Sequence, residues 1–131
     1  KLVAYCKQHW RDGRPLSKDP LVRAKLAQVA IDISVGLRFT KLVAWMQAEG
    51  QVPNHEASVN KIWGSELLRR LSNEGMRVMG LYGGLDAESP HAPAGGWFPH
   101  EYLHSLAGTI GAGSNEIQRN VIAQRGLGMP R

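Results

Sequence analysis

The sequence lacks the features that mark several common classes of protein. Its single cysteine, Cys6, excludes an internal disulfide framework and favours a reducing compartment, so we expect a cytoplasmic location. No uncharged apolar run approaches the ~20 residues that a membrane-spanning helix needs. Internal repeats and stretches of alternating apolar and polar residues are also missing, which excludes a repeat protein and argues against strands. We therefore expect an all-α protein with no membrane span.

The length and the charge of the chain narrow the choice further. Its 131 residues are enough for one domain, residues 1–131, around a single core. The net charge of +5 is moderate, and the lysines and arginines are spread along the chain, so we expect no nucleic-acid partner. The chain begins at Lys1 inside a segment with helical spacing, and we expect it to be a piece of a longer protein.

Apolar residues recur at helical spacing in five segments, which are separated by residues that start or stop helices. The predicted helices cover residues 1–10, 20–49, 54–81, 98–107 and 115–125. Asp19 followed by Pro20 is typical of an N-cap with proline at the first helical position, and Asn54 is predicted to cap the third helix. Residues 83–96 are predicted to form a long loop.

The spacing also predicts which helix faces are buried. The second helix is predicted to bury a stripe made of Leu26, Val29, Ala30, Ile33, Leu37, Thr40, Val43 and Ala44. Gly64 and Gly75 lie inside the third helix, where each costs roughly 1 kcal/mol relative to alanine, so we expect close helix contacts at both positions. Together the segments predict an all-α, antiparallel four-helix bundle.

The C-terminal stretch GTIGAGSNEIQRNVIAQRGLGMPR, residues 108–131, is a glycine loop that leads into a helix capped by Ser114. A helix N-terminus presents free N–H groups that suit an acceptor-rich ligand. Glu116 in the first turn would repel a phosphate, so the residues favour a hydroxyl-bearing ligand such as a sugar-alcohol chain. The alternative from the residues alone is an ordinary capped helix after a flexible loop.

Residues 100–104, HEYLH, match the H-E-x-x-H pattern of helices that bind zinc through two histidines, His100 and His104. In zinc peptidases of this kind the glutamate, here Glu101, is the general base. A catalytic zinc needs a third protein ligand, and after His104 only Glu116 is available. Because Glu116 already fits the first turn of the last helix, a zinc metallopeptidase is the minor alternative and no metal site is expected.

Three segments together resemble the acyl-CoA dehydrogenase family. The end of the chain, GAGSNEIQRNVIAQRGLGMPR, is similar to the end of its members, where a glycine pair and Thr or Ser precede Glu-Ile-Gln-Arg-Asn and Leu-Gly-Leu-Pro-Arg follows. The segments RDGRPLSKDPLVRAKLA, residues 11–27, and KIWGSEL, residues 61–67, resemble a bacterial branch of the family. All three occur in the family's order, so the chain resembles the family's C-terminal helical domain. The N-terminal helical domain and the middle β-domain would lie outside this sequence.

The resemblance implies a flavoenzyme that oxidises an acyl-CoA to the 2,3-enoyl-CoA, with FAD as cofactor and an electron-transfer protein as acceptor. It also implies a dimer or tetramer of identical or different subunits. Gly113, Ser114 and Glu116 match the segment that touches the FAD of its own or a neighbouring subunit. Residues 76–81, MRVMGL, match a segment that contacts a neighbour's FAD, with Arg77 in a glutamine position and Gly80 as the first glycine.

Two positions depart from the family pattern. One branch of the family has its catalytic glutamate directly before Gly113, where this chain has Ala112, so no base is expected here. Either the base lies on a helix upstream of Lys1, or this subunit has no base and works beside a complementary partner or as an assembly module. The arginine and phenylalanine of the FAD-binding turn are replaced by His9 and Asp12, and Arg11 is the candidate to supply the missing positive charge.

Overall fold

The computed structural model describes residues 1–130 and contains five α-helices and one two-stranded antiparallel hairpin. The helices are α1 (Leu2–Gln8), α2 (Pro20–Ala48), α3 (His55–Met79), α4 (Trp97–Gly108) and α5 (Asn115–Val121). The strands are β1 (Trp10–Arg11) and β2 (Arg14–Pro15). Turns of 3-10 helix cover Leu16–Lys18, Gly80–Gly84 and Pro93–Gly96, and a π-helical turn, Ile122–Gly126, continues α5. The predicted all-α bundle is confirmed, and α3 is the helix that contacts α2, α4 and α5.

The helices α2 and α3 run antiparallel, with the start of one beside the end of the other. Lys25 near the start of α2 pairs with Glu74 near the end of α3. Midway along, Trp63 Nε1 donates a hydrogen bond to the Asp32 carbonyl at 2.9 Å, and a Cβ on Gly36 would lie only 3.1 Å from the Trp63 ring. Because Gly36 leaves room for the indole, the two helices approach closely at this point.

The hydrophobic core lies where α1, the start of α2, the end of α3 and the start of α4 meet. Phe98 on α4 is only 1% exposed and packs on Gly75 of α3, where an added Cβ would lie 2.2 Å from the ring. The close contact expected at Gly75 is therefore confirmed. The buried apolar residues of this core are Leu2, Cys6, Leu16, Val22, Val78, Met79 and Phe98.

Two expectations about helix faces are wrong. Gly64 is exposed, and a Cβ added there would meet no atom within 4 Å, so no close helix contact accounts for this glycine. Within the predicted stripe of α2, Ile33 and Leu37 are 39% and 57% exposed. Along most of its length α2 packs against α3 alone, so only one side of its apolar surface is covered within residues 1–130.

The helix ends confirm one predicted cap and contradict another. Asp19 Oδ1 accepts hydrogen bonds from the N–H groups of Leu21 and Val22 at 2.8 and 3.3 Å, as expected for the N-cap of α2. Asn54 makes no side-chain cap at the start of α3, because its Oδ1 accepts a hydrogen bond from Arg125 at 2.9 Å instead. A hydrogen bond from a residue distant in sequence, Arg125, therefore takes the place of the expected local helix cap at Asn54.

The turn between α1 and α2 also differs from expectation. The first helix ends at Gln8 rather than at residue 10, because the chain enters the hairpin formed by β1 and β2. Asp12 and Gly13 at its tip have φ angles of 50° and 76°, the left-handed conformation that reverses a hairpin. Among the described residues, no helix combines the length and apolar character that crossing a bilayer requires.

Candidate cofactor-binding site

The glycine loop joins α4 to α5 and is closed by backbone hydrogen bonds. The Asn115 N–H donates to the Thr109 carbonyl at 2.9 Å, and the Gly111 N–H donates to the Ala107 carbonyl at 2.8 Å. At the tip, Ala112 and Gly113 have φ angles of 55° and 83°. Two successive left-handed residues turn the chain sharply back into α5, a conformation that suits glycine and is unfavourable for alanine.

Ser114 and Glu116 lie side by side where α5 begins. Ser114 Oγ accepts a hydrogen bond from the Ile117 N–H at 3.4 Å, as predicted for the N-cap. The exposed carboxylate of Glu116 accepts hydrogen bonds from its own backbone N–H and from the Ser114 hydroxyl, and these bonds lower the pKa of Glu116 below its usual value. This corner therefore presents a negative charge and a hydroxyl group together at neutral pH.

Gln118 holds the loop from the side of α5. Its Nε2 donates to the Ala112 carbonyl at 3.1 Å, and a Cβ on Gly113 would lie 2.8 Å from the same nitrogen. The φ angle of Gly113 favours glycine at this position, and a Cβ would also displace the end of the Gln118 side chain. The methyl group of Ala112 has no atom that can accept a proton, so this position of the loop supplies no catalytic base.

Arg11, Arg77 and Gly80 form a second group at the other end of α3. Arg11 Nη2 donates to the Val78 carbonyl at 2.7 Å, which ties the hairpin to the last turn of α3. Arg11 and Arg77 line the same cavity of about 170 Å³, together with Lys25 and the acidic residue Asp19. Gly80 follows α3 at a φ of 66°, is exposed, and has open space where a Cβ would lie.

The structure keeps these two groups of predicted site residues apart. The start of α5 contacts α3 near Lys61, whereas Arg77 lies in the last turn of the same helix. At the rise of an α-helix, the step from Lys61 to Arg77 spans about 24 Å along the axis. A single ligand would therefore have to span about 24 Å to contact both the glycine-loop corner and the arginine cavity of one chain.

The two residues that replace the family's FAD-binding pair lie away from the arginine cavity. Asp12 is exposed at the tip of the hairpin. The His9 ring stacks on the Tyr5 ring with 3.8 Å between centroids, and neither Asp12 nor His9 lines the cavity that Arg11 lines. Arg11 is therefore the side chain of this turn that brings a positive charge to the end of α3.

A polar network under the start of α5 was missed at the level of sequence. Asn115 is only 3% exposed, and its side chain contacts Lys61, Ser65 and Glu66 of α3. Arg119 on α5 also pairs with Glu66. Polar residues on one side of an otherwise apolar stretch of α3 were the available signal, but their partner lies about fifty residues away in the chain.

The zinc interpretation finds no support in the side-chain geometry. His100 and His104 lie one turn apart with parallel rings, 6.4 Å between centroids, and His100 Nδ1 is 3.4 Å from a Glu101 carboxylate oxygen. Within residues 1–130, no group of three or more His, Cys, Asp or Glu side chains is placed to hold a metal ion. Glu116, the remaining candidate ligand, is part of the α5 corner.

Comparison with known proteins identifies relatives of this chain both by sequence and by structure. A family model described as acyl-CoA dehydrogenase, C-terminal domain, matches residues 1–127. Acyl-CoA dehydrogenase IpdE1 of Mycolicibacterium smegmatis is 36% identical over 113 residues, which cover 86% of this chain and 26% of that protein. The ChsE4-ChsE5 complex from Mycobacterium tuberculosis matches with a TM-score of 0.92 and 27% identity, over 99% of this chain and 34% of the matched chain. Butyryl-CoA dehydrogenase from Megasphaera elsdenii matches with a TM-score of 0.82 and 26% identity, over 96% of this chain and 31% of that chain. This chain therefore spans about a third or less of the length of these proteins.

Proposed function

This chain belongs to the acyl-CoA dehydrogenase family, where it corresponds to the C-terminal helical domain, and we propose that it supplies two groups of FAD-contacting residues to an enzyme that oxidises acyl-CoA to 2,3-enoyl-CoA. The observation that carries the proposal is the corner formed by Ser114 and Glu116 at the end of a tightly closed glycine loop. Both residues match the family's FAD-contacting segment. Their side chains are also chemically suited to one part of that cofactor.

The α5 corner suits the hydroxylated arm of FAD. The Ser114 hydroxyl can donate or accept a hydrogen bond, and the ionised Glu116 carboxylate accepts hydrogen bonds only. A phosphate held against the first turn of α5 would be repelled by Glu116, whereas sugar-alcohol hydroxyls would donate to it. Glu116 is exposed, and its carboxylate has further lone pairs that can accept from a ligand hydroxyl beside the hydrogen bond from Ser114.

The arginine cavity suits the diphosphate of the same cofactor. Arg11 and Arg77 carry permanent positive charges, and guanidinium groups bind phosphate oxygens through paired hydrogen bonds. The Arg77 side chain is 65% exposed and forms one ion pair with Glu74, with 3.3 Å between Nη1 and Oε1. Its other N–H groups can therefore donate to a ligand. The open space at Gly80 allows a ligand to approach the backbone closely.

The distance between the two groups supports an oligomer in which each chain contacts two FAD molecules. The α5 corner would hold the hydroxylated arm of one cofactor, and the arginine cavity would hold the diphosphate of a neighbour's. The matched ChsE4-ChsE5 structure is a complex of two different proteins. A dimer or tetramer of identical or different subunits would satisfy this arrangement.

The proton-removing group of the proposed reaction lies outside this chain. Loss of the α-proton requires a carboxylate, while a bound FAD would supply the hydride acceptor and the link to an electron-accepting protein. The methyl group of Ala112 cannot act as that base. The base therefore lies on an upstream segment, or on a partner subunit, and we expect the 131-residue chain alone to have no dehydrogenase activity.

The proposal is tested by titrating the flavin-free, full-length enzyme with FAD and following flavin fluorescence. We expect Ser114→Ala and Glu116→Gln each to raise the Kd for FAD about tenfold, the size of one lost hydrogen bond to a charged or polar group. Glu88→Gln, an exposed carboxylate in the long loop, is the matched control and should leave the Kd unchanged. An unchanged Kd for both α5 variants would remove the proposed FAD contact.

The second candidate function is assembly without cofactor binding. It is favoured by the uncovered apolar side of α2, where Ile31, Leu37 and Trp45 are each more than half exposed. Apolar groups in such number on one helix are typical of a surface that another protein segment covers. In gel filtration, a mass above that of a monomer without flavin absorbance, reduced to the monomer mass by Leu37→Glu, would favour assembly as the role of this chain.

A further inference from the structure

Lys61 joins the entrance and the exit of the glycine loop. Its Nζ donates to Asn115 Oδ1 at 2.7 Å and to the Thr109 carbonyl at 3.4 Å. The Asn115 N–H donates to the same Thr109 carbonyl at 2.9 Å. One ammonium group on α3 thus holds both ends of the loop, and a backbone hydrogen bond closes the ring between them.

Both polar side-chain atoms of Asn115 have partners inside the fold. Besides Lys61, its Oδ1 accepts from Ser65 Oγ at 3.2 Å, and its Nδ2 donates to Glu66 Oε1 at 3.3 Å. At 3% exposure it is among the most buried polar residues of the chain. A buried amide whose oxygen and nitrogen both form hydrogen bonds inside the fold anchors the backbone around it.

The loop needs such an anchor because its tip is held in an unfavourable conformation. Ala112 has a left-handed φ of 55°, which residues with a Cβ rarely adopt, and it is followed by a second left-handed residue, Gly113. A conformation of this kind persists only where the surrounding contacts determine it. The ties from Lys61 lie at the two ends of the loop, and Gln118 supplies one more tie at the tip.

We propose that Lys61, acting through Asn115, is a positioning residue that sets the geometry of Ser114 and Glu116 for FAD. This rests on the proposed FAD role of the α5 corner. Lys61 lies beneath the first turn of α5, with Glu66 and Arg119 completing the charged groups of the network. Removing its ammonium group leaves the Thr109 carbonyl and Asn115 Oδ1 each with one hydrogen-bond partner fewer. The loop therefore opens more often, and Ser114 and Glu116 are then displaced from the positions that contact FAD.

The test uses the full-length enzyme and compares Lys61→Met with Lys61→Arg. In the flavin-free protein we expect Lys61→Met to raise hydrogen exchange of the amides in residues 109–116 about tenfold, and to raise the Kd for FAD by a similar factor. Lys61→Arg keeps the charge and the donors and should restore most of both values. Lys41→Met, which removes an exposed lysine of α2, is the matched control and should change neither.

The outcomes separate this inference from the proposed function. If Lys61→Met changes neither the loop exchange nor the Kd while Ser114→Ala still raises the Kd, the positioning role is wrong and the FAD contact stands. If the loop exchange rises in Lys61→Met while the Kd stays the same in both Lys61→Met and Ser114→Ala, the FAD contact itself is wrong. Should Lys61→Met fail to fold, Lys61→Gln, which keeps a shorter neutral donor, is expected to show intermediate changes in both measurements.

Discussion

The two ends of α3 are held in different ways. Its C-terminal end lies in the hydrophobic core, where Gly75 allows the Phe98 ring to rest directly on the helix backbone. Its N-terminal half faces α5 through hydrogen bonds and ion pairs, with Lys61 and Asn115 at their centre. One end is fixed by close apolar packing and the other by a few directed polar contacts.

This difference separates the part of α3 that stabilises the fold from the part that sets the geometry of the candidate site. Apolar packing depends on volume and area, so many small contacts at the Phe98 end stabilise the bundle together. A polar network depends on single atoms at set distances, so one lost donor at the Lys61 end moves the loop without unfolding the domain. We therefore expect stability and cofactor geometry to respond to different substitutions.

The largest expected effect is at the apolar end. Phe98→Ala empties the centre of the core and should lower the free energy of unfolding by about 3–5 kcal/mol. Leu103→Ala, on the same helix but 68% exposed, is the control and should change it by less than about 0.5 kcal/mol. Urea denaturation followed by circular dichroism measures both. Equal losses in the two variants would mean that the core does not lie where α1, α3 and α4 meet.

Alanine substitutions at two glycines of α3 are expected to change the stability of the domain in opposite directions. Gly75→Ala places a methyl group within 2.2 Å of the Phe98 ring and should destabilise the domain by about 1–3 kcal/mol. Gly64→Ala meets open space and should stabilise the 131-residue chain by roughly 1 kcal/mol through helix propensity. The two midpoints of thermal unfolding should move in opposite directions. A loss of stability in Gly64→Ala would show that this position is packed after all.

The smallest expected effect concerns the carboxylates at helix N-termini, of which Asp19, Glu56 and Glu116 have a lowered pKa. Hydrogen bonds from the N–H groups of Val22 and Leu21 lower the pKa of Asp19, as the contacts at α5 lower the pKa of Glu116. A group with a lowered pKa in the folded state adds stability that is present above its unfolded pKa, about 4, and is lost as the pH falls through the folded value. The thermal midpoint should therefore decline below about pH 4.

Variants at Asp19 check the origin of that decline. Asp19→Asn keeps an N-cap acceptor but cannot ionise, so it should lower the midpoint at pH 7 slightly and weaken its fall in acid. Asp19→Ala removes the cap and should lower the midpoint across the whole pH range. If Asp19→Asn follows the wild-type curve between pH 7 and pH 3, the carboxylate at this cap does not contribute to the acid dependence.

Local signals in the sequence were sufficient for the helices and for part of the site. Asp19 with Pro20, and Ser114 with its following turn, are short-range cap signals, and both helices begin where these residues place them. Periodicity did not reveal which side of α2 is covered, because Ile33 and Leu37 belong to one apolar stripe whether or not another segment packs on it. Spacing predicts a face but not its partner.

Long-range polar contacts were beyond the reach of sequence reasoning. Asn115 was assigned only to a first helical turn, and its burial against Lys61 depends on how α5 lies across α3. Asp32 on α2 is 7% exposed and pairs with Arg70 at 3.3 Å across the α2 and α3 interface, although its spacing in the sequence gives no sign of a buried position. In both cases the partner is set by tertiary packing rather than by neighbouring residues.

The central claim, that both groups of site residues contact FAD, is tested most directly by amide hydrogen exchange of the full-length enzyme with and without FAD. We predict slower exchange on FAD binding in two separate segments, residues 111–117 and residues 77–81, with little change in the middle of α2. Protection confined to one of the segments would reduce the proposal to a single contact. Unchanged exchange in both segments would contradict it.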